Sequence, residues 1–308
     1  MGQIAIKDGT AQGVAKVRHY ESLHEPSKRL FHDPYAQHMY PGSFVQSWLG
    51  EGGTHWLYSS LGAPGMLEML SIRTKWLDDK VESMAKESQY LIILGAGYDT
   101  RGFRLDLAFG KDALQLWEVD QPQVQQNKLA NLQFIAKHDA SVAEKLKSPF
   151  VHFVSVDFNV DSLDQKLKVV EGFQENQKTL VLMEGVTQYI PKSATADTLQ
   201  KLKAFSAPGS ILLITYIDET VLTDTPSPDC GSPKSIRTIL KMSQMTGETW
   251  MSGWSRSGFE TFLQELGYQV LYDTTARDYN DKYMSPLGRQ MKAEDVLSVE
   301  RFVVAKIL

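Results

Sequence analysis

The chain has 308 residues with 32 basic and 37 acidic side chains, which gives a formal net charge of -5 at pH 7. This balance lacks the basic excess that binding to phosphate backbones requires, so nucleic acid is not expected as a partner. The single cysteine, Cys230, excludes an internal disulfide, and no cysteine and histidine cluster has zinc spacing, so we expect no bound metal. No apolar run has the length of a signal-peptide core or a membrane span, so we expect a soluble, cytoplasmic protein without a membrane partner.

Seven short apolar segments recur along the chain and predict strands. Their length and their continuous apolar character are typical of strands that are covered on both faces. The segments are YLIIL (90–94), LQLWEV (114–119), HFVSV (152–156), TLVLM (179–183), ILLITY (211–216), YQVLY (268–272) and RFVVAKI (301–307).

The segments between these strands show helical patterns with readable ends. Pro122 suits the first turn of a helix. Ser257 and Glu260 have capping-box spacing, and Gly267 is placed to end that helix. The alternation of strands and helices predicts an α/β fold with a doubly wound, mostly parallel seven-stranded sheet of the Rossmann-like type. The weak helical pattern before the last segment predicts that the last strand is antiparallel.

Two regions lie outside this alternation, and we assign both to a single domain that covers residues 1–308. Residues 1–70 are rich in aromatic side chains and predict a helical N-terminal cap. Residues 218–255 contain the turn-rich stretch TPSPDCGSP, which is followed by several methionines. Segments at the carboxyl edge of an open sheet commonly become lids, so we expect an inserted lid here.

The first predicted strand ends in Gly95-Ala96-Gly97. Glycines at this place let the backbone pass close to a ligand and adopt φ values that other residues resist. A dinucleotide-binding fingerprint needs a third glycine, and Thr100 occupies that position. The pattern therefore predicts a cofactor-binding turn but weakens the prediction of NAD or FAD.

Acidic residues follow the next three strands. Asp120 ends the second strand, where an acid can accept both hydrogen bonds of a ribose diol, although it could equally serve as an N-cap before Pro122. Asp157 and Phe158 follow the third strand and could bind an adenine, with a solvated loop as the alternative. Glu184 follows the fourth. Because the ends of parallel strands meet at one edge of a sheet, we expect these acids to lie together.

An acid-rich crevice suits a cofactor with positive charge better than one with a pyrophosphate. S-adenosylmethionine has a sulfonium, an ammonium, a ribose diol and an adenine, with one carboxylate to neutralise. Arginine is well suited to bind a carboxylate, and either Arg73 or Arg101 could do so here. Their spacing alone does not choose between them.

Several motifs in order resemble the leucine carboxyl methyltransferase family. They are SIRTKWLDD, LGAGYDTRGFRL, WEVDQP, VSVDF and EGVTQYI, preceded by RHYESLHEPSKRLFHDPYA, and together they cover roughly residues 15–189. The chain is most similar to the microbial branch of S-adenosylmethionine-dependent O-methyltransferases linked to secondary metabolism. The ordered set is specific, whereas no single motif is.

The resemblance implies roles for nine residues. Those around the cofactor are Arg73 at its carboxylate, Gly95 and Gly97 along its methionine portion with Asp99 close by, Asp120 at the ribose, Asp157 and Phe158 at the adenine, and Glu184 near the ammonium. Tyr189 is expected near the transferring methyl group and is the catalytic candidate. Gly185 departs from the members that methylate a protein phosphatase, which favours a small-molecule acceptor.

The sequence thus predicts a methyltransferase that acts on an oxygen, carboxylate or hydroxyl, of a small molecule. A carboxylate is already ionised at pH 7, whereas a phenol or alcohol would need a general base. The alternatives are a protein C-terminal carboxyl methyltransferase, an N-methyltransferase, a nicotinamide-dependent oxidoreductase and a cofactor-binding regulator without turnover. We expect a monomer or a weak homodimer.

Overall fold

The computed structural model describes residues 9–158, 160–245, 247–292 and 295–308, and one β-sheet forms its centre. The strands are β1 (Tyr90–Leu94), β2 (Gln115–Asp120), β3 (Val151–Ser155), β4 (Thr179–Met183), β5 (Ile211–Ile217), β6 (Tyr268–Thr275) and β7 (Glu300–Ile307). Each of the seven apolar segments forms one of these strands, and the predicted ends differ from the observed ones by no more than three residues.

Helices precede the sheet and connect its strands. The α-helices are α1 (Gly9–Leu23), α2 (Ser43–Ser60), α3 (Met66–Met84), α4 (Arg101–Arg104), α5 (Pro122–Ile135), α6 (Ala140–Lys147), α7 (Leu163–Lys168), α8 (Lys192–Phe205), α9 (Pro233–Met245), α10 (Arg256–Glu265) and α11 (Ala276–Tyr279). Short turns of other helix types are Ala36–His38, Ala85–Glu87, Thr187–Tyr189, Glu219–Leu222, Pro228–Cys230, Asn280–Met284 and Ser285–Leu287. Within the described ranges, no helix combines the length and apolar character that crossing a bilayer requires.

The strand order is β3-β2-β1-β4-β5-β7-β6. The first five strands pair in parallel, whereas β7 is antiparallel to both β5 and β6. This arrangement confirms the predicted doubly wound, mostly parallel sheet with an antiparallel last strand. The order reverses between β1 and β4, and in such sheets the crevice outside the carboxyl ends of the two strands is where ligands bind.

The side chains of each central strand alternate between two apolar cores. Leu91 and Ile93 of β1 pack into the core that contains Trp76 of α3. Ile92 and Leu94 pack into the opposite core, with side chains from α7, α8 and α10. Because both faces are covered, β1 is apolar at every position, which is why its sequence is continuously apolar rather than alternating.

Helix α10 begins before the predicted capping box, and that prediction is wrong. The N-cap is Ser255, whose Oγ accepts the backbone N–H of Gly258 at 3.2 Å, so Ser257 lies inside the first turn. Ser255 has the extended backbone that an N-cap needs, and this places the helix start two residues earlier. Gly267 follows the helix with φ +81°, as predicted.

The segments that we predicted as cap and lid contact each other, since the backbone N–H of Thr10 donates to Glu248 Oε2 at 3.0 Å. Helix α1 packs against α2 and α3. After α9, the backbone N–H of Met251 donates to the Gln188 carbonyl at 2.8 Å, and Ser252 Oγ donates to the Ile190 carbonyl at 2.7 Å. Residues 1–8 of the predicted cap lie outside the described residues. The division into one domain with a cap and a lid stays a prediction.

Candidate active site

A cavity of about 940 Å³ lies at the carboxyl ends of β1 and β4. Its walls come from the turn after β1, the segment after β4, helices α1, α3 and α9, and residues 247–251. A second hollow of about 320 Å³, bordered by parts of α1, α2 and α3, contains none of the predicted site residues. The larger cavity is therefore the candidate active site.

The turn after β1 requires glycine at two positions. Gly95 has φ +63° and Gly97 has φ +48°, both in the left-handed region. A Cβ atom on Gly95 would collide with Val186 Cγ2, and one on Gly97 would lie 3.3 Å from Ala11 Cβ. The turn is thus packed between α1 and the segment after β4, and its backbone faces the cavity.

Asp120 supports this turn from the end of β2. Its Oδ2 accepts the N–H of Gly97 at 2.5 Å, and its Oδ1 accepts the N–H of Gln121 at 2.6 Å. The N-cap of α5 is Gln121 rather than Asp120, so the alternative role of Asp120 as a helix cap is wrong. Asp120 also lines the cavity, where a carboxylate can accept hydrogen bonds from a ligand.

Arg73 of α3 lies between two acids at the cavity wall. Its Nε is 2.8 Å from Glu184 Oε1, and its Nη1 is 2.5 Å from Glu300 Oε2. Neither ion pair uses Nη2. Burial alone would lower the pKa of Arg73, but Glu300 and Glu184 raise that pKa above its ordinary value, so the guanidinium stays charged.

Glu300 also lines the candidate site, and the sequence motifs do not predict it. It is the first residue of β7 and pairs in register with Ile217, the last residue of β5. Because β7 is antiparallel, its first residue lies at the edge where the parallel strands end. Among the described residues Glu300 Oε1 is buried and has no hydrogen-bond partner. The only sequence signal is an acid directly before an apolar strand. This signal predicts a site residue only if the strand is known to be antiparallel, because its first residue then lies at the edge where the parallel strands end.

Arg101, the alternative to Arg73, lies in a second cluster of charges. Its Nε is 2.7 Å from Asp78 Oδ1, and its Nη1 contacts Asp99 and lies 2.6 Å from Glu184 Oε2. Burial would raise the pKa of Asp99, but the Arg101 charge holds it well below its ordinary value. Arg73 lines the cavity and Arg101 does not, so the geometry makes Arg73 the more accessible of the two.

Thr100 shows why a third glycine is missing. Its hydroxyl donates to Asp33 Oδ2 at 2.6 Å, and Arg18 Nε contacts the same oxygen at 2.8 Å. Arg18 also donates to the Tyr98 carbonyl. These buried contacts tie α1 and the segment after it to the turn. The position therefore uses a hydroxyl donor, which glycine does not have.

Tyr189 reaches the cavity from the turn after β4. Its hydroxyl oxygen accepts the indole N–H of Trp250 at 3.0 Å, which connects it to the segment after α9. Burial raises the pKa of Tyr189 above its ordinary value. The phenol therefore keeps its proton at neutral pH, and Thr10 of α1 is a second side chain in hydrogen-bond contact with it.

Phe158 and Asp157 follow β3 but differ in placement. Phe158 lines the cavity, whereas Asp157 is not among the lining residues. The Asp157 backbone N–H donates to Asp161 Oδ2 at 3.0 Å, and its carbonyl accepts the N–H groups of Val160 and Asp161, so it begins a local turn. The structure thus brings eight of the nine predicted residues to one cavity and leaves Asp157 beside it.

The arrangement fits S-adenosylmethionine. A carboxylate oxygen that is buried without a partner, such as Glu300 Oε1, suits an ammonium group, because an unsatisfied buried acceptor is unfavourable. The acids around it suit the additional positive charge of a sulfonium. The glycine turn allows a close backbone approach, and the carboxylate of Asp120 at the cavity wall can accept hydrogen bonds from hydroxyl groups such as those of a ribose.

Comparison with known proteins agrees with this arrangement. The family model described as leucine carboxyl methyltransferase matches residues 11–203. YktD of Bacillus subtilis, which its name describes as a candidate S-adenosyl-L-methionine-dependent methyltransferase, is 32% identical over 231 residues, which cover 75% of this chain and 69% of YktD.

Two solved structures share the fold. A DUF574 family protein from Streptomyces avermitilis has a TM-score of 0.58 at 12% identity, covering 95% of this chain and 97% of that one. A candidate methyltransferase from Thermobifida fusca has a TM-score of 0.51 at 13% identity, covering 94% of each chain. The family match and the sequence relative together show that the chain belongs to the leucine carboxyl methyltransferase family and is an S-adenosylmethionine-dependent methyltransferase.

Proposed function

We propose that the enzyme methylates an oxygen, carboxylate or hydroxyl, of a small molecule of the secondary-metabolite type. The cavity of about 940 Å³ carries this proposal. Ligand pockets in proteins range from about 300 to 1,000 Å³, so this cavity has room for a second small molecule beside the cofactor. Helical segments surround it, which favours a small acceptor over a long protein tail.

The cavity residues support one orientation of the cofactor. Arg73 would bind the carboxylate through Nη2, and Glu184 and Glu300 would face the ammonium. Gly95 and Gly97 would lie along the methionine portion of the cofactor, with Asp99 close by. Asp120 would hold the ribose.

The adenine would lie against Phe158. Its other predicted partner, Asp157, stays a prediction, since Asp157 lies beside the cavity and not in its lining.

S-adenosylmethionine supplies a methyl group on a positively charged sulfur, which makes the group ready for displacement. The protein contributes alignment of the two partners and exclusion of water, and alignment alone is worth on the order of 7–11 kcal/mol in favourable intramolecular models. Tyr189, held by Trp250 and protonated at neutral pH, would donate a hydrogen bond that orients the acceptor.

The cavity lining favours an acceptor that needs no proton removal. Among the lining residues in the described part of the chain there is no histidine. Tyr189 with its raised pKa is a poor base at neutral pH. A carboxylate acceptor needs no proton removal, so it suits this lining better than an alcohol does.

Radioactive methyl transfer tests the proposal. The protein is incubated with S-adenosylmethionine labelled in the methyl group and with a cell extract separated into a small-molecule filtrate and a protein retentate. We expect label in the filtrate, in a product that mild alkali hydrolyses if it is an ester. Label in the retentate would favour the protein carboxyl methyltransferase, and an alkali-stable amine product would favour N-methylation.

Mass spectrometry of the purified protein provides an independent check. We expect S-adenosylhomocysteine or S-adenosylmethionine to co-purify with it. A bound cofactor without turnover in either fraction would favour the regulatory alternative. The small-molecule partner, the cytoplasmic location and the monomer or weak homodimer stay predictions.

A further inference from the structure

Helix α3 lines the part of the cavity that leads away from the charged residues. Met66, Met69, Leu70 and Arg73 all line it, and their spacing of three or four residues places them on one face of the helix. With a rise of 1.5 Å per residue, Met66 lies about 10 Å along the helix from Arg73. The chemical character of the cavity wall therefore changes along α3, from the cationic Arg73 at one end to apolar side chains at the other.

Helix α9 and the end of α2 provide further apolar wall. Ile239 and Met242 of α9 and Tyr58 of α2 line the same cavity. Tyr58 and Met242 are only partly buried although they pack against the core, so they keep surface available to a ligand. We call the space bounded by these apolar side chains the acceptor chamber; its residues are Tyr58, Met66, Met69, Leu70, Ile239 and Met242.

Helix α1 borders the cavity with small residues. Thr10, Gly13 and Val14 line the cavity and lie on one side of the helix. A Cβ atom placed on Gly13 would meet no other atom within 4 Å. A larger side chain at position 13 would therefore enter open space instead of displacing protein atoms.

The charged groups that line the cavity near helix α1 already have partners within the protein. Arg18 Nε lies 2.8 Å from Asp33 Oδ2. Lys16 Nζ lies 5.7 Å from the centre of the Tyr40 ring. Glu248 Oε2 accepts the backbone N–H of Thr10 at 3.0 Å. The acceptor chamber itself presents thioether, aliphatic and aromatic surface, and methionine adapts its shape to flat apolar ligands and contacts aromatic rings favourably.

We infer that the acceptor is an apolar, ring-containing molecule that binds in the acceptor chamber. We also infer that the lack of a side chain at Gly13 determines how wide a ring can bind there. This inference rests on the proposed function, because it assigns the part of the cavity that the cofactor does not fill. An apolar ring would bury its surface against α3 and α9, while its nucleophilic oxygen would point towards Tyr189. The absence of a side chain at Gly13 leaves room for the ring.

Binding of naphthyl probes to the complex with S-adenosylhomocysteine tests the inference. The probes are 2-naphthoic acid and 2-naphthol, followed by their fluorescence, with glucuronic acid as a polar comparator followed by calorimetry. Gly13→Leu adds a side chain to the cavity wall at helix α1, where a Cβ atom meets no other atom within 4 Å, and by our inference it narrows the space for the ring. Gly52→Leu is the matched control, because Gly52 lies in helix α2 outside the cavity and a Cβ there also meets no atom within 4 Å.

We expect both naphthyl probes to bind the wild type and Gly52→Leu equally and to bind Gly13→Leu at least tenfold more weakly. S-adenosylhomocysteine affinity is expected to stay within twofold in all three proteins. Equal probe binding by Gly13→Leu and the wild type would overturn the assignment of Gly13. Lack of probe binding, or preference for glucuronic acid, would overturn the apolar acceptor while leaving the proposed function intact. Lack of S-adenosylhomocysteine binding would instead count against the function itself.

Discussion

At the scale of single residues, Asp120 has a structural role in the turn after β1, and we propose a binding role for it as well. Its carboxylate fixes the N–H groups of Gly97 and Gln121 and also lines the cavity. The hydrogen bond from the backbone N–H of Gly97 explains why an acid at the end of β2 stabilises a turn at the end of β1. The same hydrogen bonds fix the position of the carboxylate, which supports the ribose contact that we propose for Asp120.

Asp120→Ala is expected to abolish measurable binding of S-adenosylhomocysteine in calorimetry. Hydrogen bonds to charged groups contribute about 1.5–3 kcal/mol each, so losing both ribose contacts should weaken binding by roughly a hundredfold or more. Asp197→Ala, at an acid largely exposed on α8, is the control and should bind normally. Unchanged affinity in Asp120→Ala would remove the ribose assignment.

Arg73 forms ion pairs with two acids, Glu184 and Glu300, that are distant from it in the sequence. Arg73→Ala would leave Glu184 and Glu300 buried without their cation, and breaking a buried pair in this way costs about 3–5 kcal/mol. We expect both lower stability in urea unfolding and weaker binding of the cofactor.

Arg73→Lys separates the two effects of that substitution. It keeps the positive charge and should recover part of the stability, but it loses the planar guanidinium and should still bind the cofactor weakly. Calorimetry on the folded Arg73→Lys protein checks this. Wild-type affinity there would shift the carboxylate role to Arg101.

At the scale of secondary-structure elements, strand β2 and helix α5 share a buried ion pair. Lys128 Nζ lies 2.5 Å from Glu118 Oε2, and both side chains are almost completely buried. Burial raises the pKa of Glu118 from 4.5 to about 7, although Lys128 acts in the opposite direction. The folded state thus holds the Glu118 proton more tightly than the unfolded state, so between about pH 4.5 and pH 7 this group lowers stability as pH rises.

Lys128→Met should extend that loss of stability to higher pH, because it removes the charge that favours ionised Glu118. At pH 8 we expect a loss of about 3–5 kcal/mol, and a smaller loss at pH 5. Adding Glu118→Leu should recover most of the stability and remove the slope. Urea unfolding at both pH values checks this prediction. Equal destabilisation of Lys128→Met at pH 5 and at pH 8 would contradict it.

At the scale of the whole molecule, the cavity joins elements that are distant in the chain. The turn after β1, helix α3, the first residue of β7 and the segment after α9 all contribute to it. A ligand that binds them together stabilises the folded state as a unit, because the unfolded chain has no such site.

S-adenosylhomocysteine at a hundred times its Kd should therefore raise the free energy of unfolding by about 2.7 kcal/mol. Thermal unfolding should show a higher Tm for the wild type and no change for Asp120→Ala. NAD is expected to have no effect at the same concentration. A rise in Tm with NAD alone would support the oxidoreductase alternative and contradict the cofactor assignment.

The sequence by itself determined the strands and the edge of the sheet at which the candidate site lies. Strands covered on both faces are continuously apolar, so β1 and β4 were visible as short uninterrupted runs. The carboxyl ends of parallel strands converge, so the residues directly after them, including Gly95 and Glu184, could be placed together without coordinates. The prediction was weaker for Asp157, because a loop residue two positions beyond its strand is free to turn away.

Only the tertiary structure decided which partners these residues have. Arg73 and Glu300 are separated by 227 positions, and no local pattern encodes their contact. The direction of β7 places Glu300 at the edge of the sheet that borders the candidate site. Arg101 packs against Asp78 and Asp99 and does not line the cavity, whereas Arg73 does. Strand direction and side-chain pairing depend on contacts between distant segments, and these exist only once the chain has folded.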